Sequence, residues 1–401
     1  MRNLTIVGAQ FGDEGKGKII DYLSSYFDIG VRFNGGENAG HTVVNSGKQV
    51  KFHLIPASFF GVKTLVLANG VVLNLEKLYS EIRELSTISK FPDLYISKLA
   101  HIVTPAHFKR DSLLEGVRGK SQIGTTLKGI GPAYESKYGR YGIRIIDLLQ
   151  DDVYEKFNLL SQIYNIQISK EEIEKIIGIA REFSGNLIDT ADFLFENIER
   201  GKKILFEAAQ GTFIDIEFGT YPYVTSSHTI SGGVTVGTGL PPKYIDKVMG
   251  VAKSYITRVG EGYFPTEIFG NEAEELRKLG WEYGATTGRP RRVGYFDIPM
   301  LRKSAKLNGF DYIALTKVDV LGKFKKIKAA ISYEVNGSEV KEYDPLLKVD
   351  KVNYEEFKPW DDNPNNLEKF IDFIESEIKI PIPIVGNGED RDKIIVREKI
   401  Y

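Results

Sequence analysis

The chain has 401 residues, 42% of them hydrophobic, enough to bury a large core as one compact α/β unit or as two or three smaller ones. Its 53 basic and 54 acidic residues leave a formal net charge of -1, whereas a general nucleic-acid binder carries a basic excess or stripe. The absence of cysteine excludes disulfides, thiolate metal sites and a cysteine nucleophile; with no signal peptide at the N-terminus and no apolar run near the ~20 residues of a membrane span, the cytoplasm is the expected location.

Leu4, Ile6 and Val7 form a short strand-like run ending at Gly8, and after a glycine-rich turn Ile19, Ile20, Leu23 and Phe27 recur at helical spacing. Ile29–Phe33 reads as the next strand. This βαβ opening predicts an α/β fold with a large, mostly parallel central sheet flanked by helices. Further buried strands are expected at 64–68, 204–206, 312–315 and 382–385, each stopping at a polar or glycine-rich segment where such folds place ligand loops. From about 144 to 200, Phe157, Leu160, Ile173, Ile176, Ile177, Leu187, Phe193 and Phe195 sit among charges at helical intervals and predict a helical insertion. Residues 325–343 alternate like a β-hairpin with Asn336-Gly337 as its turn. With no repeat and no linker that cuts the chain, 1–401 reads as a single domain.

Four segments carry chemistry. Gly8-Ala9-Gln10-Phe11-Gly12-Asp13-Glu14-Gly15-Lys16-Gly17-Lys18 lies between a strand and a helix, where backbone N–H groups and a helix N-terminus favour a phosphate; alternatively it is a tight turn with two solvated lysines. It is not a strict Walker loop: Gly17 stands where Ser or Thr would hold magnesium, and Asp13 sits inside it. Asn34-Gly35-Gly36-Glu37-Asn38-Ala39-Gly40-His41-Thr42 offers a histidine able to donate to a phosphate oxygen. Thr316-Lys317-Val318-Asp319 resembles a guanine-reading element, since an aspartate can accept from both the ring N–H and the amine of guanine. Gly284 to Arg292 holds three arginines within four residues, an anion clamp or a solvated basic loop. Gly124 to Tyr134, with Arg140 beyond it, and Glu207 to Thr212 leading to Tyr221–Ser227 are polar loops of the kind a two-substrate site needs.

Taken in order, Gly-Asp-Glu-Gly-Lys-Gly-Lys, Asn-Ala-Gly-His-Thr, Gly-Ile-Gly-Pro-Ala-Tyr, Gly-Thr-Tyr-Pro-Tyr-Val-Thr-Ser-Ser and Gly-Ala-Thr-Thr-Gly-Arg resemble the adenylosuccinate synthetase family from Gly8 to about Arg391. Ala208 and His228 depart from its usual glycine and asparagine. The resemblance implies a phosphate-loop NTPase-like fold and a cytoplasmic ligase of purine biosynthesis. GTP, inosine monophosphate (IMP) and L-aspartate become adenylosuccinate, GDP and phosphate through 6-phosphoryl-IMP. By the same likeness Asp13, His41 and Gln210 are catalytic, and one magnesium ion is held by Asp13 and the carbonyl of Gly40. GTP falls to Gly12, Asp13, Glu14, Gly15, Lys16, Gly17, Lys18, Gly40, His41, Thr42, Arg291, Lys317, Val318 and Asp319. Gly386, Asn387 and Gly388, in the C-terminal region of about 310–401, complete the guanine side. IMP falls to Asp13, Lys16, Asn38, Ala39, Gly40, His41, Thr126, Gln210, Thr225 and Arg289, with Arg140 reaching it from the partner of a homodimer. Aspartate falls to Ala285, Thr286, Thr287, Gly288, Arg289 and Arg291. A GTP-binding switch or a small-molecule kinase is the competing reading; the switch leaves the arginine loop and the IMP loops without a role, and the kinase predicts a stable phosphorylated product with no need for aspartate.

Overall fold

The computed structural model describes residues 2–45, 47–283, 288 and 290–401. Ala285, Thr286, Thr287 and Arg289, named above for the aspartate and IMP sites, lie outside the described residues, as does Gly284 at the start of the same segment.

Ten strands form one sheet: β1 (Asn3–Gly8), β2 (Ile29–Arg32), β3 (Thr64–Leu67), β4 (Asp93–Ser97), β5 (Leu187–Ile188), β6 (Ile204–Glu207), β7 (Lys247–Lys253), β8 (Tyr312–Thr316), β9 (Ile384–Gly386) and β10 (Ile394–Val396). Their spatial order is β10-β9-β8-β7-β1-β6-β2-β3-β4-β5, and every pairing is parallel except β9 with β10. The first strand is therefore central. The chain builds outward on one side through β5, returns to insert β6 beside β1, then builds outward on the other side.

Alternation along the strands feeds two apolar layers. Leu4, Ile6, Leu65, Leu67, Met249 and Val251 face one layer; Val7, Val31, Val66, Val248, Ala252 and Leu315 face the other. Each such fully buried side chain contributes roughly 1.5–3 kcal/mol. The first layer includes helices Lys16–Ser24, Leu75–Ser86, Val153–Tyr164 and Lys170–Glu182; the second includes helices Ile298–Asn308 and Asn365–Ile378. The 144–200 segment is not helix alone, because it supplies β5, which pairs with β4 at the sheet edge.

The strand next to β1, β7, was not expected from the sequence. Lysines bound it and Gly250 interrupts it, yet a Cβ at Gly250 would lie 2.5 Å from the Phe310 ring, so the glycine lets that aromatic pack on the sheet. The expected hairpin is present: Ile327–Val335 pairs with Ser338–Val340, and Asn336 (φ 49°) and Gly337 (φ 75°) make its left-handed turn. Its strand also pairs with Lys351–Phe357 and Phe296–Asp297 in a separate small sheet.

Candidate functional site

The polar segments at 8–18, 34–42, 207–212, 316–319 and 386–388 lie at the carboxyl ends of β1, β2, β6, β8 and β9, where an open α/β sheet places its ligands, whereas the loop at 124–134 comes after helix Pro105–Arg118. After β1 the chain turns through Gly12 (φ 94°), Asp13 (φ 58°) and Gly15 (φ 81°) into helix Lys16–Ser24. Glycine makes these left-handed turns at no steric cost, and aspartate is among the residues that tolerate them. Glu14 fills the loop from inside. Its buried carboxylate accepts from the N–H of Gln10 (3.0 Å) and of Gly12 (2.8 Å) and pairs with Lys16 at 2.7 Å. Gly8 and Gly211 leave it room: a Cβ at either would lie 2.5 or 2.6 Å from a Glu14 carboxylate oxygen. Lys18 points the other way, donating to the carbonyls of Gly388 (2.7 Å) and Lys393 (2.6 Å), and burial pulls its pKa down to about 8.

The hairpin of His41–Asn45 and Lys48–Phe52 sits directly on this helix; a Cβ at Gly17 would come 2.9 Å from the His41 Cβ. His41 Nδ1 lies 2.6 Å from Glu207 Oε1 at the end of β6. A carboxylate can only accept, so Nδ1 carries the proton and Nε2 is left for a ligand. Glu207 also accepts from Arg32 (3.1 Å) and from the N–H of Ala57 (2.8 Å). Burial, only partly offset by Glu207, holds the His41 pKa below the ordinary imidazole value. Arg32 and the Ala57 N–H help keep Glu207 ionised against the opposing effect of its own burial.

Gln210 follows with φ 62°. Both its amide oxygen and its amide nitrogen are buried without a partner among the described residues. Leaving such groups unpaired costs roughly 1–3 kcal/mol each. The adjacent Gly35 keeps space beside this amide, since a Cβ there would lie 3.0 Å from Gln210 Oε1. Asp13 is about one-third exposed and lies 2.8 Å from the Nε of Arg291, whose Nη1 donates to Glu282 at 2.8 Å. Glu282 also accepts from Lys253 (2.9 Å) and Tyr255 (2.6 Å). Against the upward push of burial, Lys253 and Arg291 hold its pKa down to about 2.

At the end of β8, Thr316 donates to the Glu14 carbonyl at 2.5 Å, joining this strand to the phosphate loop. Lys317 turns the chain at φ 59°, its carbonyl accepting from Ser254, and the buried Oδ1 of Asp319 has no partner among the described residues. Beside it, the Asn387 N–H donates to the Lys393 carbonyl at 2.8 Å. On the opposite flank, Asn38 Oδ1 accepts from the Gly36 N–H, and its Nδ2 donates to Thr225 at 3.4 Å.

With this geometry in place, comparison with known proteins is direct. The adenylosuccinate synthetase family model matches residues 5–395. The chain belongs to the adenylosuccinate synthetase family. It is 44% identical to the adenylosuccinate synthetase of Thermoanaerobacter sp. strain X514 over 423 residues, covering 99% of each chain. It is also 44% identical to that of Picrophilus torridus over 416 residues, covering 98% of this chain and 99% of the relative. A solved structure described as fully ligated adenylosuccinate synthetase from Plasmodium falciparum superposes with a TM-score of 0.92 at 38% identity, covering 99% of this chain and 100% of that one. The succinoaminodeoxyadenylate synthetase of cyanophage S-2L, solved with dGMP and dATP, has a TM-score of 0.67 at 19% identity over 99% and 96% of the chains and shares the fold.

Among the residues that family likeness singles out, Gly12 to Gly15, Gly40, Gln210, Arg291, Lys317, Asn387 and Gly388 lie on loops, while Lys16 to Lys18 open helix Lys16–Ser24, His41 and Thr42 open a hairpin strand, Val318 and Asp319 open the short helix Val318–Leu321 and Gly386 ends β9. Thr126 is exposed, and Arg140, exposed at φ 68° after helix Ile130–Gly139, has no side-chain partner among the described residues. Glu207, Glu282 and Lys253 were not picked out as functional residues. Glu207 closes an apolar strand run, Ile204-Leu205-Phe206, and a carboxylate there is the one available signal; Glu282 and Lys253 carry none, because their pairing is long-range.

Proposed function

We propose that this synthetase, which ligates IMP and L-aspartate at the expense of GTP, works through 6-phosphoryl-IMP with Asp13, His41 and Gln210 as its catalytic groups. The observation that carries the reading is Gln210: a buried amide with neither end satisfied among the described residues, in the loop that follows Glu207, suits a partner that arrives with the substrate. Asp13 removes the N1 proton of IMP, the 6-oxygen attacks the γ-phosphorus, and the bond to the β-phosphate oxygen breaks to release GDP. His41 donates from Nε2 to the transferring group while Glu207 holds Nδ1, so the imidazole must gain a proton when the triphosphate arrives. Gln210 stabilises the 6-oxyanion. The amine of aspartate then attacks C6, and the C6–O6 bond breaks with phosphate as leaving group.

Arg291 leaves Asp13 as ligands enter and serves GTP and aspartate; Glu282 limits how far it can swing. Lys16 and the loop N–H groups hold phosphate. The Glu14 side chain faces inward, so its share of the nucleotide contact is through backbone. Asp319, with its orphaned oxygen, reads guanine. Gly288 belongs with the aspartate loop. Asp13 and the Gly40 carbonyl are oxygen donors that suit one magnesium ion, and among the described residues no cluster of three or more acidic or histidine side chains competes for it. Bound there, the ion supplies charge neutralisation to the phosphates. Arg140 completes the IMP site of a second copy, making the working form a homodimer. No described helix is long and apolar enough to cross a membrane, and we assign the enzyme to the cytoplasm.

The test is isotopic. IMP carrying 18O at position 6 transfers that label to the released phosphate; label retained in the purine product overturns the phosphorylated intermediate.

A further inference from the structure

The loop before helix Ile130–Gly139 has an unusual support. Three of its residues are left-handed: Gly124 (φ 78°), Leu127 (φ 56°) and Gly129 (φ 68°). For Leu127, a γ-branched side chain, that region persists only where the surroundings over-determine it. Two carboxylates of helix Pro105–Arg118 do so. Asp111, 4% exposed, accepts from the Gly129 N–H at 2.9 Å and from the Thr125 hydroxyl at 3.1 Å. Glu115, one turn later and 8% exposed, accepts from the N–H groups of Ile123 (3.3 Å) and Gly124 (3.1 Å). The Thr125 oxygen in turn accepts from the Leu127 N–H at 3.3 Å. A third carboxylate, Glu37, receives Lys128 at 2.9 Å and Asn74 at 2.6 Å, joining the loop to the segment that carries Asn38 and His41.

Two like charges four residues apart on one helix face repel, and burying them adds to the cost. The arrangement is tolerable because the loop backbone supplies donors to both, and Arg118 adds one to Glu115 at 3.0 Å. Thr126, at the apex between these anchors, is exposed and has no side-chain partner among the described residues. The carboxylates thus fix the backbone on both sides of a residue they do not touch.

We infer that Asp111 and Glu115 are positioning residues for IMP: they hold residues 122–129 in the substrate-binding conformation before IMP arrives, so that the ordering of the loop is not charged against IMP affinity. The inference rests on the proposed contact of Thr126 with IMP. Neither carboxylate touches a reacting atom, so their loss raises KM for IMP and leaves the chemical step.

The experiment uses the full-length enzyme, with Asp111→Asn and Glu115→Gln made separately, so that a variant that fails to fold leaves the other to decide. Steady-state kinetics give KM for each substrate, and amide hydrogen exchange reports on Ile123, Gly124 and Gly129 without ligand. The expected result is a rise of about tenfold in KM for IMP, the size of one lost charge-assisted hydrogen bond. KM for GTP and for aspartate stays within about twofold, kcat is kept, and exchange at those three amides is faster. An unchanged KM for IMP in a folded variant with faster exchange overturns the inference and leaves the site reading standing. A parent enzyme whose turnover is indifferent to IMP overturns the site reading itself.

Discussion

The two ends of the nucleotide site are built differently. At the transfer end, charged groups come in pairs from distant strands: His41 with Glu207, Asp13 with Arg291, Arg291 with Glu282, Glu282 with Lys253. At the proposed guanine end, four consecutive residues at one strand end and a short segment beside them define the surface, and Asp319 keeps an oxygen unpaired among the described residues. The difference follows from the work required. Reading a base needs donors and acceptors fixed in a plane, which one strand end provides. Moving a proton and a phosphoryl group needs side chains held in one tautomer and one charge state, which takes a second partner for each.

Substitutions test that contrast. Asp13→Ala should lower kcat by about 10³-fold, through loss of the base, with the fold retained by circular dichroism. A variant of near-normal kcat would remove Asp13 from the chemistry. Glu207→Gln should lower kcat by about 10²-fold with little change in KM, since the amide no longer anchors Nδ1–H as an ion. His41 adds a titration to this test. The free enzyme holds its imidazole neutral below its ordinary pKa, so GTP binding at pH 7.5 should draw in a proton that His41→Asn does not take up. Calorimetry in two buffers of different ionisation enthalpy reads the difference, and equal uptake in both proteins contradicts the role.

At the guanine end, Asp319→Asn should raise KM for GTP about fiftyfold and leave kcat at saturation, the loss of a paired acceptor. A fall in kcat instead would erase the distinction between the two ends. Glu282→Gln should cost about 2 kcal/mol of stability by leaving Lys253 without its counter-charge. The pH dependence has a definite sign. With the folded pKa depressed from 4.5 to about 2, the contribution of Glu282 is complete above about pH 4.5 and lost as pH falls towards 2. Denaturant melts of the variant should therefore show a shallower acid decline over that window. The smallest effect is Gly337→Ala in the remote hairpin turn, about 1 kcal/mol of stability with kcat unchanged, because φ 75° disfavours a Cβ.

Legibility in the sequence follows the same division. The strand, glycine turn and helix at 3–24, the Asn336-Gly337 turn and the tetrad 316–319 proposed to read guanine are local patterns, and local patterns are written in adjacent residues. Strand β7 was hidden because its packing needs Phe310, sixty residues away, to lie over Gly250. The 144–200 segment read as helical because two residues, Leu187 and Ile188, are too few to show a strand period. Glu207, Glu282 and Lys253 look like ordinary charges until folding removes water from them and gives each a specific partner. The family motifs name the residues proposed for the chemistry but not the partners that hold them.

The most direct measurement is phosphate release from GTP with IMP and L-aspartate each omitted in turn, and with ATP in place of GTP as control. Release that requires all three substrates and fails with ATP is the predicted result. Release from GTP alone, or equally from ATP, would contradict the coupled ligation and guanine recognition on which the account rests.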